Sequence, residues 1–312
     1  MEKMKVVILG GGESGVGAAI LAKTKGLEVF LSDKGEIKEN YKKVLVENGI
    51  EFEEKNHDEE RILSADWVIK SPGVPKKAEM VQKIKAKGIR LSSEIEFGAE
   101  FTNAKIIAIT GSNGKTTTTS LIYHILKNDN LNVGLGGNIG KSFAMQVAQE
   151  NFDYYVLEVS SFQLDDIQNF RPYISLLLNL SPDHLDQYNY NYEEYALAKF
   201  RIAENQENDN YFIYNKDDEM SQKLLQELDL RVKQIPFSMK EKLEEGGFTE
   251  EEKIVVKLHD EFSMKIEDLS LMGTHNVANS LAASIAGKLL NISNESIRNS
   301  LITFQAVEHR LE

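Results

Sequence analysis

The stretch IIAITGSNGKTTTTSLIYHIL, residues 106–126, decides how this chain is read. Ile106, Ile107 and Ile109 form a short apolar, β-branched run, which suits a buried strand. Leu121, Ile122, Ile125 and Leu126 recur at helical spacing. Between them stands Gly111-Ser112-Asn113-Gly114-Lys115-Thr116. The common phosphate loop reads G-x-x-x-x-G-K-[ST], whereas here only two residues separate the glycines. A strand, a tight glycine turn and a helix start still aim backbone N–H groups at an anion. Lys115 is expected to reach the outer phosphates, and Thr116 to offer its hydroxyl to Mg²⁺. The plainer alternative is an ordinary strand-to-helix turn that contains these residues.

Upstream, residues 1–95 alternate between strand and helix patterns. Strands fit MKVVILG, LEVFLSD, DWVIKSPG and IRLSS, and helices fit GVGAAILAKTKG, YKKVLVENG and AEMVQKIKAKG. That alternation predicts a small parallel, doubly wound sheet. GGGESGVG, residues 10–17, follows the first strand. Gly10, Gly12 and Gly15 match G-x-G-x-x-G, with Asp33 about 20 residues on to take ribose hydroxyls. The pattern points to an anionic nucleotide but does not separate NAD from a nucleotide sugar; a purely structural glycine turn is the other reading. Ser71-Pro72-Gly73 either holds a second phosphate or simply ends its strand.

Downstream, residues 96–307 read as one further α/β domain. Strands fit YYVLEVS and YISLLLNL, and helices fit NYEEYALAKFRIAEN, DEMSQKLLQEL and HNVANSLAASIAGKLL. The alternation in KIVVKLHDEFSMKIEDL predicts a small antiparallel β insertion. The expected fold is therefore an N-terminal Rossmann-like parallel sheet followed by a P-loop-type ATPase domain. Glu158 falls near the end of a buried strand, where a carboxylate needs a partner; Mg²⁺ beside the phosphate loop would supply one. Asn179, Asp183, His184 and Asp186 cluster after the next strand, where α/β sheets place ligands. A lone His184 reads as structural or exposed, but beside Glu158 and a phosphate loop it reads as a ligand. Lys199 looks like a plain helix lysine by spacing. Asn276 and Asn279 share a helix face and either read an adenine edge or cap a loop.

The bulk numbers set the class. At 312 residues there is room for about two domains. The net charge of −13 argues against a nucleic-acid binder. With no cysteine, neither disulfides nor thiol chemistry is available. No apolar run approaches the ~18 residues of a membrane span, and the first strand begins too early for a signal peptide. A cytoplasmic, monomeric protein with no membrane partner is expected.

GSNGKTT, GGNIG (136–140), LEVSSFQL (157–164), NLSPDHLDQY, AKFR and HNVANSLAA together resemble the Mur ligases of peptidoglycan synthesis. SSFQL points within that family to the branch adding D-glutamate to UDP-N-acetylmuramoyl-L-alanine. In this family the ATP loop has the short glycine spacing. The resemblance implies that Gly111, Ser112, Asn113, Gly114, Lys115, Thr116 and Thr117 hold the ATP phosphates. It places Thr116 and Glu158 on one Mg²⁺ and His184 on a second. It makes Lys199 a metal ligand once CO₂ has carbamylated it. Asn138 and Ser160 are implied on the muramoyl-alanyl part of the substrate, and Asn276, Asn279 and Arg310 on the nucleotide side. Ser14, Gly15, Asp33 and Lys34 are implied at uridine, with Ser71, Pro72 and Gly73 near the diphosphate. This first loop is richer in glycine than is common in the family. Family members continue into a third domain after His309-Arg310, so residues 308–312 are expected to begin a linker, and the chain to bind ligands without completing the reaction. The competing readings are an NAD-dependent oxidoreductase, resting on GGGESG and Asp33, and a non-catalytic nucleotide-binding regulator.

Overall fold

In Lys5–Leu9, Val6 and Ile8 pack into one apolar cluster and Val7 and Leu9 into another. A strand that is apolar on both faces belongs inside a sheet covered on both sides. That is its position in the computed structural model, which describes residues 3–305. By its contacts the chain divides into two units. One comprises residues 1–103, 140–151 and 162–170, and the other comprises 104–139, 152–161 and 171–312. Two segments inside the range expected for the second domain thus pack with the first unit.

The first unit contains β1 (Lys5–Leu9), β2 (Glu28–Ser32), β3 (Glu51–Glu53), β4 (Trp67–Lys70) and β5 (Arg90–Ser93). They form a parallel sheet in the order β3-β2-β1-β4-β5. The order reverses between β1 and β4, so the loops after these two strands flank the switch point where such sheets take ligands. The sequence pattern missed the three-residue β3 and the short helix Glu59–Leu63. Residues 94–99 form a helix, Glu94–Ala99, capped by the Ser93 hydroxyl.

The second unit contains β6 (Lys105–Thr110), β7 (Val133–Gly137), β8 (Tyr154–Glu158), β9 (Ile174–Leu177), β10 (Tyr211–Asn215), β11 (Lys233–Ser238), β12 (Gly246–Glu250), β13 (Lys253–Lys257) and β14 (Glu261–Lys265). Their order is β14-β13-β12-β11-β10-β9-β6-β8-β7. β7 to β12 pair in parallel through β8, β6, β9, β10 and β11, while β12–β13 and β13–β14 are antiparallel. The expected antiparallel strands are present, but they extend the edge of this mixed sheet instead of standing apart. Helix Lys115–Asn128 begins with four threonines, which are weak helix formers. Packing overrides propensity: Thr118 and Thr119 are buried, and Leu121, Ile122, Ile125 and Leu126 enter the main core with Leu281, Ile285 and Ala286 of helix Thr274–Leu289. Among the described residues, no helix is long and apolar enough to cross a membrane.

Candidate active site

In the second unit, β6 runs into Gly111–Gly114 and then into helix Lys115–Asn128. Gly114 sits at φ 83, and a Cβ there would lie 2.5 Å from Asn279 Oδ1. Glycine is needed at this position both for its backbone and for its lack of a side chain. The loop is tied to the segment after β9. Ser112 N donates to Asn179 O (3.0 Å), Ser112 Oγ to Ser181 O (2.9 Å) and Asn113 N to Asn179 Oδ1 (2.8 Å). The side-chain amide of Asn179 donates back to Asn113 O at 2.9 Å. β6 lies between β8 and β9, at the reversal of strand order where ligands are expected.

Two lysines converge on this loop. Lys115 Nζ donates to Gly111 O and Ser112 O, both at 2.9 Å. Lys199 Nζ, on a side chain 2% exposed, donates to the same Gly111 O at 3.0 Å and sits 4.7 Å from the centre of the Tyr195 ring. Both Nζ atoms share one carbonyl, and Lys115 at the helix start sets a positive charge beside the loop in a protein of net charge −13, which suits a polyphosphate. Tyr195, one helical turn before Lys199, also hydrogen-bonds with Ser112 Oγ at 3.1 Å. The sequence reading did not single it out; the i, i+4 spacing in YALAK was the available signal.

Glu158 ends β8 and is 2% exposed. Its Oε2 accepts from Thr116 Oγ1 at 2.8 Å and its Oε1 from Asn138 Nδ2 at 2.9 Å. Asn138 N also donates to Glu158 O at 2.8 Å, so Asn138 braces the carboxylate. Both side-chain partners are neutral, and Glu158 makes no ion pair among the described residues. A buried carboxylate beside a hydroxyl, with no cation to balance it, fits a hard divalent ion such as Mg²⁺. His184 adopts a left-handed conformation (φ 48). Its side chain is 57% exposed and lies 3.6 Å from Asp183 Oδ2. No group of three or more His, Cys, Asp or Glu placed to hold a metal occurs among the described residues. Thr116, Glu158 and Asn138 are therefore brought together, while His184 stands on its own loop. Ser160 follows β8 by two residues. Asn276 and Asn279 do share a helix face: Asn279 Nδ2 donates to Asn276 Oδ1 (3.3 Å), and Asn276 Nδ2 to Met272 O (2.9 Å). Arg310 and residues 308–312 lie outside the described residues.

In the first unit, Gly10–Gly12 joins β1 to helix Glu13–Thr24. A Cβ on Gly15 would lie 1.8 Å from Gly10 O and 2.9 Å from Ser71 Oγ, so only glycine lets the helix start this close to the loop. Ser71 Oγ donates to Gly10 O at 3.2 Å, bringing the glycine loop and the Ser71-Pro72-Gly73 loop together. Asp33 faces inward to the backbone: Oδ2 accepts from Gly11 N (2.5 Å) and Oδ1 from Gly35 N (2.7 Å). Ser14 is half-buried and Lys34 exposed.

The family described as Mur ligase middle domain matches residues 109–287, and that described as MurD N-terminal domain matches residues 5–80. A curated relative from Christiangramia forsetii, named UDP-N-acetylmuramoylalanine--D-glutamate ligase, is 52% identical over 309 residues, 99% of this chain and 69% of that protein. A relative of the same name from Bacteroides fragilis is 51% identical over 308 residues, again 99% and 69%. Among solved structures, the UDP-N-acetylmuramate:L-alanyl-gamma-D-glutamyl-meso-diaminopimelate ligase from Neisseria meningitides matches with a TM-score of 0.68 at 20% identity, covering 99% of this chain and 100% of that one. At that identity the likeness speaks for the fold alone.

Proposed function

The chain belongs to the Mur ligase family, and from that premise we propose that it takes part in the ATP-dependent joining of D-glutamate to UDP-N-acetylmuramoyl-L-alanine in peptidoglycan precursor synthesis. The observation that carries the reading is the convergence of Lys115, Thr116 and Glu158 at the end of β6 and β8, with Lys199 on the same loop carbonyl. The names of the relatives supply the amino acid and the acceptor.

In the proposed reaction an oxygen of the alanyl carboxylate attacks the γ-phosphorus. The bond to the β-phosphate oxygen breaks, and ADP leaves with its electron pair. The amine of D-glutamate then attacks the carbonyl of the acyl phosphate; a C–N bond forms, phosphate departs with the C–O pair, and the amine loses a proton. The first approach sets a carboxylate against a triphosphate. Each like-charge pair at ~4 Å costs about 4 kcal/mol at an intermediate dielectric. Lys115 opposes this repulsion from the loop, together with the N–H groups of Gly111–Thr117 at the helix start. Mg²⁺, held by Thr116 and Glu158, would supply further charge neutralisation there. His184 is proposed at a second such ion. Lys199 is proposed to be carbamylated at Nζ: the ammonium gives up one proton, the free amine forms a C–N bond to CO₂, a second proton leaves, and the resulting anionic carbamate would serve as a metal ligand.

The remaining assignments belong to the same proposal. Asn276, Asn279 and Arg310 serve the nucleotide. Asn138 and Ser160 serve the muramoyl-alanyl part, Asn138 also through its hold on Glu158. Ser14, Gly15, Asp33, Lys34 and Ser71–Gly73 serve the UDP moiety. The domains are taken to run over 1–95 and 96–307, and the protein to act as a cytoplasmic monomer. The NAD reading is served less well, because it leaves the Gly111–Thr116 loop, Glu158 and His184 without a role.

The test is ADP release by the full-length enzyme with UDP-N-acetylmuramoyl-L-alanine, with and without D-glutamate. Sustained release that requires both substrates is expected. Release indifferent to D-glutamate would refute the assignment. For Lys199, isotope-labelled bicarbonate should yield a carbamate carbon signal that Lys199→Ala abolishes, and a short carboxylic acid should partly restore the variant's activity. A variant with full activity would refute the carbamate.

A further inference from the structure

The loop after β4, Ser71 to Lys77, has no regular structure of its own and contains two prolines and a glycine. It is nevertheless held at both ends. Lys70, the last residue of β4, is 2% exposed, and its Nζ donates to Val74 O at 3.1 Å, closing the loop on itself. The same Nζ stands 3.1 Å from Asp166 Oδ2, on a side chain 3% exposed. Further along, Lys76 Nζ lies 2.5 Å from Asp165 Oδ2. A buried lysine whose loop partner is only a carbonyl needs an anion, and Asp166 provides it.

Those two aspartates sit on a segment that is itself fixed. Ser93 N donates to Asp166 O at 3.3 Å. The buried carboxylate of Glu96 accepts the amides of Gln168 (3.1 Å), Asn169 (2.9 Å) and Phe170 (2.8 Å). Gln168 Nε2 adds a bond to Leu91 O at 3.2 Å. Each end of the Ser71–Lys77 loop is thus tied to an acid that cannot drift. Lys76 and Lys70 pair with Asp165 and Asp166, the latter also 3.9 Å from Lys85. Ser71 N is held by Leu9 O and Pro72 has no N–H, so contact with an anion falls to the Gly73 amide and to the Ser71 hydroxyl once it leaves Gly10 O.

We propose that Asp166, acting through Lys70, and Asp165, acting through Lys76, are positioning residues that hold the Ser71–Gly73 loop in the shape that receives the diphosphate of the UDP-substrate. The proposal rests on the ligase reading above. A loop set even ~1 Å out of place can cost a large factor in productive binding.

Removing one partner of a buried pair tends to unfold a protein, whereas replacing both with apolar residues often does not. The deciding variant is therefore the double substitution Lys70→Met, Asp166→Leu in the full-length enzyme. It should melt close to wild type and keep its ATP–Mg²⁺ affinity within about twofold, while KM for UDP-N-acetylmuramoyl-L-alanine rises roughly tenfold and kcat changes little. Asp165→Asn, on the pair whose lysine is half-exposed, should give a smaller rise of about threefold at unchanged melting temperature. If the double variant does not fold, this second variant decides. A folded variant with the wild-type KM, or losses that strike ATP and the UDP-substrate alike, overturns the positioning role alone. Wild-type enzyme that fails to bind the UDP-substrate overturns the ligase reading and this proposal with it.

Discussion

Lys115 concentrates the chemistry of the phosphate loop at one atom. Its Nζ rests on the carbonyls of Gly111 and Ser112, contacts that a bound phosphate would replace with stronger, fully charged ones. Lys115→Ala should weaken ATP–Mg²⁺ binding roughly ten- to a hundredfold, the value of one or two charge-assisted bonds, while leaving UDP-substrate binding intact. Calorimetry on the variant checks this, and an unchanged ATP affinity would remove Lys115 from the site. The place of Lys115 on the loop could be read from sequence because it is local: glycine, lysine and threonine follow one strand within six positions. Asn179, Tyr195 and Asn138 brace the same site from elsewhere in the chain. Asn179 meets the loop 66 residues away and Tyr195 meets it 83 residues away. Their contacts with the loop become visible only once the sheet brings β6, β8 and β9 side by side.

At the scale of elements, glycine turns and helix ends determine what the loops can do. Gly114→Ala would force an L-residue to φ 83 and set its Cβ against Asn279. A loss of about 1–3 kcal/mol is expected, read as a lower melting temperature together with weaker ATP binding; a variant as stable as wild type would contradict the geometry. Helix Phe143–Gln149 is held differently. Buried Glu94 accepts from Ser142 Oγ and Ala144 N, both at 2.7 Å. Burial pushes its carboxyl up to about 7, with Glu13 adding to the rise and the bonds from Ala144 and Ser142 opposing it. Folding therefore favours the protonated acid. This contribution is complete below the ordinary value of 4.5 and is lost as pH rises through about 7. Glu94→Gln should gain on wild type between pH 5 and 8 by up to about 3 kcal/mol, measured by denaturant unfolding at both pH values; parallel profiles would refute the shift. The long helices and parallel strands were legible because their periodicity is strong. Two features were not. Strands β13 and β14 alternate like a separate hairpin, and only the pairing of β12 with β11 makes them the edge of a larger sheet. Glu94 and Glu96 look like ordinary helix-start acids, yet their partners lie about 50 and 70 residues away.

At the scale of the whole molecule, the proposed function calls for two nucleotides at two loops, one in each unit. In the proposed function the glycine loop with Ser71–Gly73 takes the UDP-substrate, and Gly111–Thr117 takes ATP. The family match spans both loops, and the chain covers 69% of the length of the Christiangramia forsetii and Bacteroides fragilis relatives. The direct measurement is a calorimetric titration of this chain with UDP-N-acetylmuramoyl-L-alanine, first alone and then with the chain saturated by ATP–Mg²⁺. The account predicts one equivalent of UDP-substrate bound in both conditions, with ATP–Mg²⁺ binding its own single site. Competition between the two ligands, or no uptake of the UDP-substrate where NAD binds instead, would contradict it.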